Sequence, residues 1–529
     1  MENLAPVSNA IDIVKKEIVV DRALNKETTQ VLCEGDIIVP DIKPDINLIL
    51  QNDASIVIEK VESSIDRLNI VGKVHVSVLY LAKGSDNPVH SLTHTYPIDD
   101  FINIAGLTKD SIVDLKHDLS GLDFNIVNDR KISYRGVLDI SVSGTVKDHR
   151  EAVVEVTGLA LSQQQRGIIN LIKTVSNKND RFIIKAGIDV PSGKQNIVEI
   201  LNTSFELRNK NVRSIGGKIQ ITGDLNISIL YRGNDEQLLE FFEVDEPFTS
   251  SIEVEEATEE MFADATLKVL DKFIQILQNE DGEDRVVGVE VTIGSEARVS
   301  TKEEIEYLKD AYSITDNLLL DTQSINYPHF VARNKNQATI KEILTLPANL
   351  PNILQVFRVK GKAHLVEAKA TTDKVTVEGN VAVDIMYIAK DDDVPLFSHK
   401  TNIVYRQVVE APGATANMEV ATDVVVDGIH FNLLSENEVE LRVTASFSIN
   451  VNEKLEAKLV KNIEVNEIDQ DFIDNQASIT VYVATKGDTL WQIAKRYHTS
   501  VEELVELNEI ANPDILTQGQ KLIILKKVG

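Results

Sequence analysis

One pattern is written three times in this 529-residue chain. Residues 70–80 read IVGKVHVSVLY, residues 221–231 read ITGDLNISILY, and residues 377–387 read VEGNVAVDIMY. Apolar and polar residues alternate through each stretch, the period of a half-buried strand. A glycine (Gly72, Gly223, Gly379) falls at the same point of each apolar face, and Tyr80, Tyr231 and Tyr387 follow eight residues later. A proline stands thirty-two residues before each glycine: Pro40, Pro191 and Pro347. Forty-nine residues after it, the first and third copies share G-x-x-F-N, as Gly121 with Phe124 and Asn125, and Gly428 with Phe431 and Asn432. The second copy carries instead an acidic run and a stretch of helical character over 255–277. Another alternating run closes each copy, at 136–142, 286–293 and 439–449. Offsets that match at so many points mark an internal repeat, so the chain is expected to fold as an array of similar units.

Each copy takes roughly 110–120 residues, the size of one domain. Strands at short spacing with polar turns predict mostly β units, sandwich or barrel-like. The expected division is an N-terminal segment over 1–29, repeats over 30–150, 181–300 and 338–452, an acidic linker over 453–478, and a small domain over 479–527. The polar stretches NKND (177–180) and NKNQ (334–337) read as connectors between copies. The acidic segment reads as a linker that lets the last domain reach independently.

That last domain has different signals. An apolar run over 480–485 reads as a strand and leads into the turn Lys486-Gly487-Asp488-Thr489. Leu490, Ile493, Ala494 and Tyr497 then fall on one face of a helix, with Asp488 or Thr489 as its N-cap. A second helix follows Ser500, spaced to Glu503 as in a capping box, with Val501, Leu504 and Val505 inward. Asn512-Pro513 forces a turn, and Gly519 precedes a closing strand over 521–525. The expected order is strand, helix, helix, strand.

These residues resemble a LysM module: Tyr482, then K-G-D-T-L-W-x-I-A from Lys486, the Asn512-Pro513 turn, and L-x-x-G-Q-x-L. The sequence departs from the family pattern at Ala484 and at the Leu525-Lys526-Lys527 ending. The resemblance implies a small α+β (βααβ) fold that binds N-acetylglucosamine-containing glycan. It implies a ligand groove between two loops, Gly487, Asp488, Thr489 and Leu490 on one side and Asn512, Pro513, Asp514, Ile515 and Leu516 on the other. Most of these residues also have a structural reading, with Gly487 as a turn, Asp488 and Thr489 as helix caps and Pro513 as a bend. Trp491, the lone tryptophan, reads either as half-buried packing beside the first helix or as a groove border.

Composition sets the remaining bounds. The formal charge is −29, from 54 Lys and Arg against 83 Asp and Glu, which argues against nucleic acid as a partner. The acid lies upstream, because residues 479–529 hold six basic and six acidic side chains. No run approaches the ~20 apolar residues of a membrane span, and no secretory signal is visible at the N-terminus. Cys33 is the only cysteine, which leaves no internal disulfide and no thiolate metal cage. His90 and His94 have metal-ligand spacing, but the neighbourhood reads as an exposed strand face without a third ligand. Asp36, Asp41 and Asp45 read as turn caps rather than a calcium loop. What the copies share is glycine, tyrosine, proline and aliphatics, which are structural. Neither a catalytic residue nor a cofactor or metal is expected.

Tandem β units with a VPDI-type opening at 39–42 and a G-to-Y strand, followed by one C-terminal LysM, resemble the SPOCS-domain proteins of spore-forming Firmicutes, the SipL family. The fold class expected is therefore three β-rich SPOCS-like repeats plus a LysM domain. The resemblance implies a non-enzymatic spore-coat morphogenetic scaffold made in the mother-cell cytoplasm and acting at the forespore surface. Its implied partner is a SpoIVA-like coat morphogenetic ATPase, with the LysM as docking module. The second reading is a peptidoglycan anchor. An enzyme delivered by a LysM is the third reading and has no reactive residues to support it.

Overall fold

The computed structural model describes residues 11–84, 89–158, 161–234, 239–390, 394, 396–467 and 477–526. The first copy comprises β1 (Asp12–Ala23), β2 (Glu27–Ile38), β3 (Ile46–Ser64), β4 (Arg67–Ala82), β5 (Val89–Asn103), β6 (Ile112–Asn128) and β7 (Lys131–Thr157). The second comprises β8 (Ser162–Asp189), β9 (Glu199–Ile215), β10 (Lys218–Arg232), β11 (Leu239–Glu253), β12 (Phe262–Gln278) and β13 (Asp284–Ser313). The third comprises β14 (Asp316–Thr345), β15 (Ile353–Thr371), β16 (Lys374–Ala389), β17 (Leu396–Glu410), β18 (Glu419–Ser435) and β19 (Glu438–Glu467). The terminal module is β20 (Ile479–Val483), α1 (Leu490–Tyr497), α2 (Val501–Leu507) and β21 (Lys521–Leu525).

The recurring G-to-Y strand is the middle of an antiparallel meander in every copy: β3-β4-β5, β9-β10-β11 and β15-β16-β17. A second antiparallel sheet holds β2, β7 and β6, then β8, β13 and β12, then β14, β19 and β18. One apolar core fills each pair of sheets, so each copy is a β-sandwich. The shared landmarks have physical reasons. A Cβ on Gly72 would stand 2.5 Å from the Val57 carbonyl oxygen, where β3 bulges toward β4. At Gly223 it would meet the Phe248 ring and the Arg208 carbonyl. The hydroxyls of Tyr80, Tyr231 and Tyr387 donate to the carbonyls of Pro44, Gln195 and Pro351 at 2.9, 3.0 and 3.1 Å. Each tyrosine thus pins the loop that begins with the recurring proline. Burial pushes all three phenols up to about 12.

Several sequence expectations are corrected. NKND and NKNQ are not connectors but lie inside the long strands β8 and β14, paired residue for residue with β13 and β19. A polar strand in a solvent-facing ladder has no apolar alternation to announce it. The acidic segment is not a linker over its first part, because β19 continues to Glu467 against β14; residues 468–476 lie outside the described residues. Of the segment before residue 30, the described part from residue 11 onward belongs to the fold, with β1 paired along the end of β7. The helical character at 255–277 is overridden: the stretch is a turn followed by β12, laddered on β13. Glu, Ala, Lys and Leu favour helix intrinsically, but a partner strand and a core face outweigh that preference.

The long strands join the copies. Beyond each sandwich, β1 with β7, β8 with β13, and β14 with β19 run on as two-stranded ribbons. The ribbons share one core of Ile18 and Val20, Ile169 and Ile305, and Ile325 and Leu459, among others. A further core repeats by position, with Val153, Leu308 and Val460 as one trio and Val156, Ala311 and Ile463 as the next. The residue before each repeat tyrosine does the same at the sandwiches, where Leu79, Leu230 and Met386 meet. Three equivalent units therefore close around common apolar layers, and the array is not a string of separable beads.

Candidate functional site: the terminal module and its seat

In the module, β20 pairs antiparallel with β21, Ile479 opposite Leu525. The inward face places Tyr482, Leu522 and Ile524 on a small core with Leu490, Ile493, Ala494 and Leu504. Thr489 is the cap of α1, its hydroxyl accepting from Gln492 N at 3.2 Å and its own N–H donating to the Gln492 side chain. Ser500 and Glu503 form the capping box expected for α2. Asp488 has another role: its carboxylate accepts from Tyr482 OH at 2.7 Å, Thr485 N at 2.8 Å and Thr485 Oγ1 at 2.9 Å. The Thr485 amide and these hydroxyls hold the Asp488 carboxyl below its ordinary range. Gly487 has φ 95°, and a Cβ there would meet nothing within 4 Å, so its constraint is conformational.

On the second loop, Asn512 Oδ1 accepts from Asp514 N at 3.1 Å and shapes the turn around Pro513. Leu516 turns inward against the module core, where Leu490 is buried, and this core is what brings the two loops together. Among the described residues no hydrogen bond joins them. Ile515 projects outward, 66% exposed. Of the nine candidate groove residues, Leu490 is therefore core, Asp488 and Thr489 are held by their own loop, and Ile515 is the apolar side chain free for a ligand.

The module is seated on the end of β13, a contact that the sequence reading missed. A β-bulge between Leu308 and Asp310 turns Asp310 toward α1. There its carboxylate accepts from Trp491 Nε1 at 2.8 Å and from Lys495 Nζ. Tyr312 enters the module core, its hydroxyl donating to the Thr499 carbonyl at 2.9 Å and its ring set edge-on to Trp491 at 5.0 Å. Ile314 joins the same cluster, and His498 Nδ1 lies 3.4 Å from the Ser313 carbonyl oxygen. Trp491 is half-buried as the packing reading has it, but what it packs on is the second repeat. The only signal available was an apolar Tyr-Ser-Ile run ending a repeat, with a lone tryptophan 180 residues away.

The outer face of the β20–β21 ribbon remains bare. Ile479, Val481, Val483, Ile523 and Leu525 are each 43–62% exposed on one side of five-residue strands. Beside Leu525 a hollow of about 380 Å³ is lined by Thr499, Glu503, Leu507 and Lys526.

The histidine pair is corrected: His90 is buried, 5.7 Å from the Tyr80 ring, and His94 faces Tyr134 at 5.7 Å, so the two do not share an exposed face. Asp41 and Asp45 pair with Arg130, and Asp36 with Lys131. No group of three or more potential metal ligands occurs among the described residues. No helix among them is long and apolar enough to cross a membrane.

A β-sandwich array that presents one βααβ module is the class of protein these elements define. The family model described as "SipL, SPOCS domain" matches residues 45–127, 196–277 and 352–434, and the LysM domain model matches 482–525. The chain therefore carries three SPOCS domains of the SipL type followed by one LysM domain. Two curated relatives from Bacillus subtilis (strain 168) match over the length of a single LysM. The cortical fragment-lytic enzyme is 48% identical over 44 residues, 8% of this chain and 10% of the relative. SpoIVD-associated factor A is 42% identical over 43 residues, 8% of this chain and 11% of the relative. The chain thus spans about a tenth of either relative's length. No solved structure matches.

Proposed function

We propose that this chain is a non-enzymatic scaffold of the spore coat, acting from the mother-cell cytoplasm at the forespore surface. Its LysM docks the coat-basement ATPase SpoIVA, as the SPOCS resemblance implies. The observation that carries a protein partner rather than a sugar alone is the bare aliphatic face of the β20–β21 ribbon, contiguous with the hollow beside Leu525. Clusters of exposed aliphatics on a small domain are typical of protein contact surfaces. The seat on β13 supports the same reading, because Trp491, Lys495 and Tyr312 fix the module on a rigid array and leave that face outward. One relative is named as an associated factor of another protein, which accords with such use of a LysM.

A glycan anchor is the second reading, favoured by the outward Ile515 between Asp514 and Leu516, where an acetamido sugar would find an apolar wall. A relative named for lysing cortical fragments accords with it. The two separate in one experiment: pull-down of SpoIVA and sedimentation with purified peptidoglycan, using the wild type, Val481→Asp with Ile523→Asp, and Ile515→Asp. The scaffold reading expects loss of SpoIVA from the ribbon variant and no wall retention. Wall retention abolished by Ile515→Asp, without SpoIVA capture, would replace it with the anchor.

A further inference from the structure

Where the first two repeats meet, a cavity of about 730 Å³ is walled by β3, β4 and β5 on one side and by β9 and β12 on the other, with Lys360 of β15 reaching in from the third repeat. Its charge runs against that of the chain. Lys268, Lys272 and Lys360 line it, against Asp53 and Asp271. Asp53 is already doubly matched, by Lys360 at 2.7 Å and by Arg358 at 3.7 Å. Among the described residues, Lys268 and Lys272 have no carboxylate within ion-pair distance, and the Lys272 ammonium stands 5.4 Å from the Phe205 ring centroid. The remaining wall is rich in hydroxyls, including Ser55, Ser77, Thr93 and Ser204.

The repeat symmetry shows that these cations are particular to their positions. Asp53, Ser204 and Lys360 are equivalent across the three copies, as are Gln51, Asn202 and Arg358. Lys272 is the eleventh residue of β12, where the equivalent strands β6 and β18 have Leu122 and Ile429. Lys268 is the seventh residue of β12, where they have Asp118 and Val425. The part of copy two that departs from its siblings is thus the part that puts ammonium groups into this cavity. The titration of the lining groups agrees with a positive interior. Burial and then Lys360 push the Lys272 ammonium down. Burial with Lys268 and Lys362 takes His117 down to about 4, and burial with Lys272 and Lys73 lowers His75.

We propose that this cavity binds a small multivalent oxyanion, a phosphate ester or a polycarboxylate, held by Lys268, Lys272 and Lys360 with the wall hydroxyls as further donors. Lys268 and Lys272, which no carboxylate pairs among the described residues, stand beside Lys360 with its ion pair to Asp53, and ammonium groups gathered on one wall attract such a ligand more strongly together than singly. The volume suits a small molecule. Because the ligand bridges the first two repeats and touches the third, its binding also stiffens the array. The site is independent of the LysM reading and stands or falls separately from it.

The test is calorimetric titration of the full chain with inorganic pyrophosphate and with citrate, at ionic strength held constant with NaCl. One saturable site per chain is expected, at least tenfold weaker in Lys268→Ala/Lys272→Ala and unchanged in Lys218→Ala, whose lysine lies on β10 away from the cavity. Circular dichroism and the melting transition of the double variant verify that it remains folded. Preference for pyrophosphate assigns a phosphate ester, and preference for citrate a polycarboxylate. Absence of saturable binding by either anion, or equal affinity in the folded double variant, overturns the proposal.

Discussion

Tyr312→Ala should release the LysM domain from the array without unfolding either. Tyr312 is 3% exposed, although the module core can close without it around Leu490, Ile493, Ala494, Leu504, Leu522 and Ile524. Truncating a buried aromatic ring costs about 3–5 kcal/mol, and here the ring touches Trp491 and bonds to Thr499, so most of that loss falls on docking. At about 1.4 kcal/mol per tenfold, the docked state loses a factor of at least ~100. Tyr312→Phe keeps the ring and removes only the bond to the Thr499 carbonyl, a loss of about 1 kcal/mol. The assay is built into the chain, because Trp491 is its sole tryptophan and its indole N–H is held by Asp310. Tyr312→Ala should shift Trp491 emission to the red and lower its anisotropy, while Tyr312→Phe should scarcely move either. Unchanged emission and anisotropy in the folded alanine variant would refute the seat.

Asp310→Ala removes the partner of both Trp491 and Lys495, and should weaken docking by about 1–3 kcal/mol, read by the same fluorescence. Gly379→Ala would drive a methyl into the His364 carbonyl and the Tyr405 ring and should destabilise by at least ~1–3 kcal/mol, whereas Gly216→Ala meets nothing within 4 Å and should be near neutral; chemical denaturation compares them. His117 titrates near 4 in the fold against about 6.5 when unfolded. The unfolded chain takes up that proton first, so this stability is present above about pH 6.5 and is lost as pH falls toward 4; His117→Gln should flatten melting temperature against pH across that window. The three repeat phenols reach about 12 against an ordinary 10, so their contribution is complete below pH 10 and fades as pH rises toward 12. Replacing Tyr231 by Phe should remove its share of that alkaline loss and cost about 1 kcal/mol at neutral pH.

What the sequence revealed depended on whether each constraint was local. The G-to-Y strand was legible because one face of β4, β10 and β16 is core, and because a glycine and a tyrosine meet fixed obstacles there. The LysM was legible because its caps and turns are written within a few residues of where they act. The ribbons were hidden because NKND and NKNQ pair through backbone groups that any side chain permits. The stretch 255–277 was misread because helix preference is a property of residues, whereas β12 exists through its ladder with β13. The Asp310–Trp491 seat joins positions 181 apart, and no period in one sequence connects them. Of the candidate groove, the turn and cap roles were readable, but the inward turn of Leu490 and the outward turn of Ile515 come from packing.

We propose that SpoIVA meets this protein at the bare aliphatic face that the seat on β13 holds outward. Affinity between SpoIVA and the full chain, measured by biolayer interferometry for the wild type and for Val481→Asp/Ile523→Asp, tests it most directly. The account predicts saturable binding that falls at least tenfold in the variant while Trp491 emission stays as in the wild type. Equal affinity for both chains, or no binding by the wild type, would contradict it.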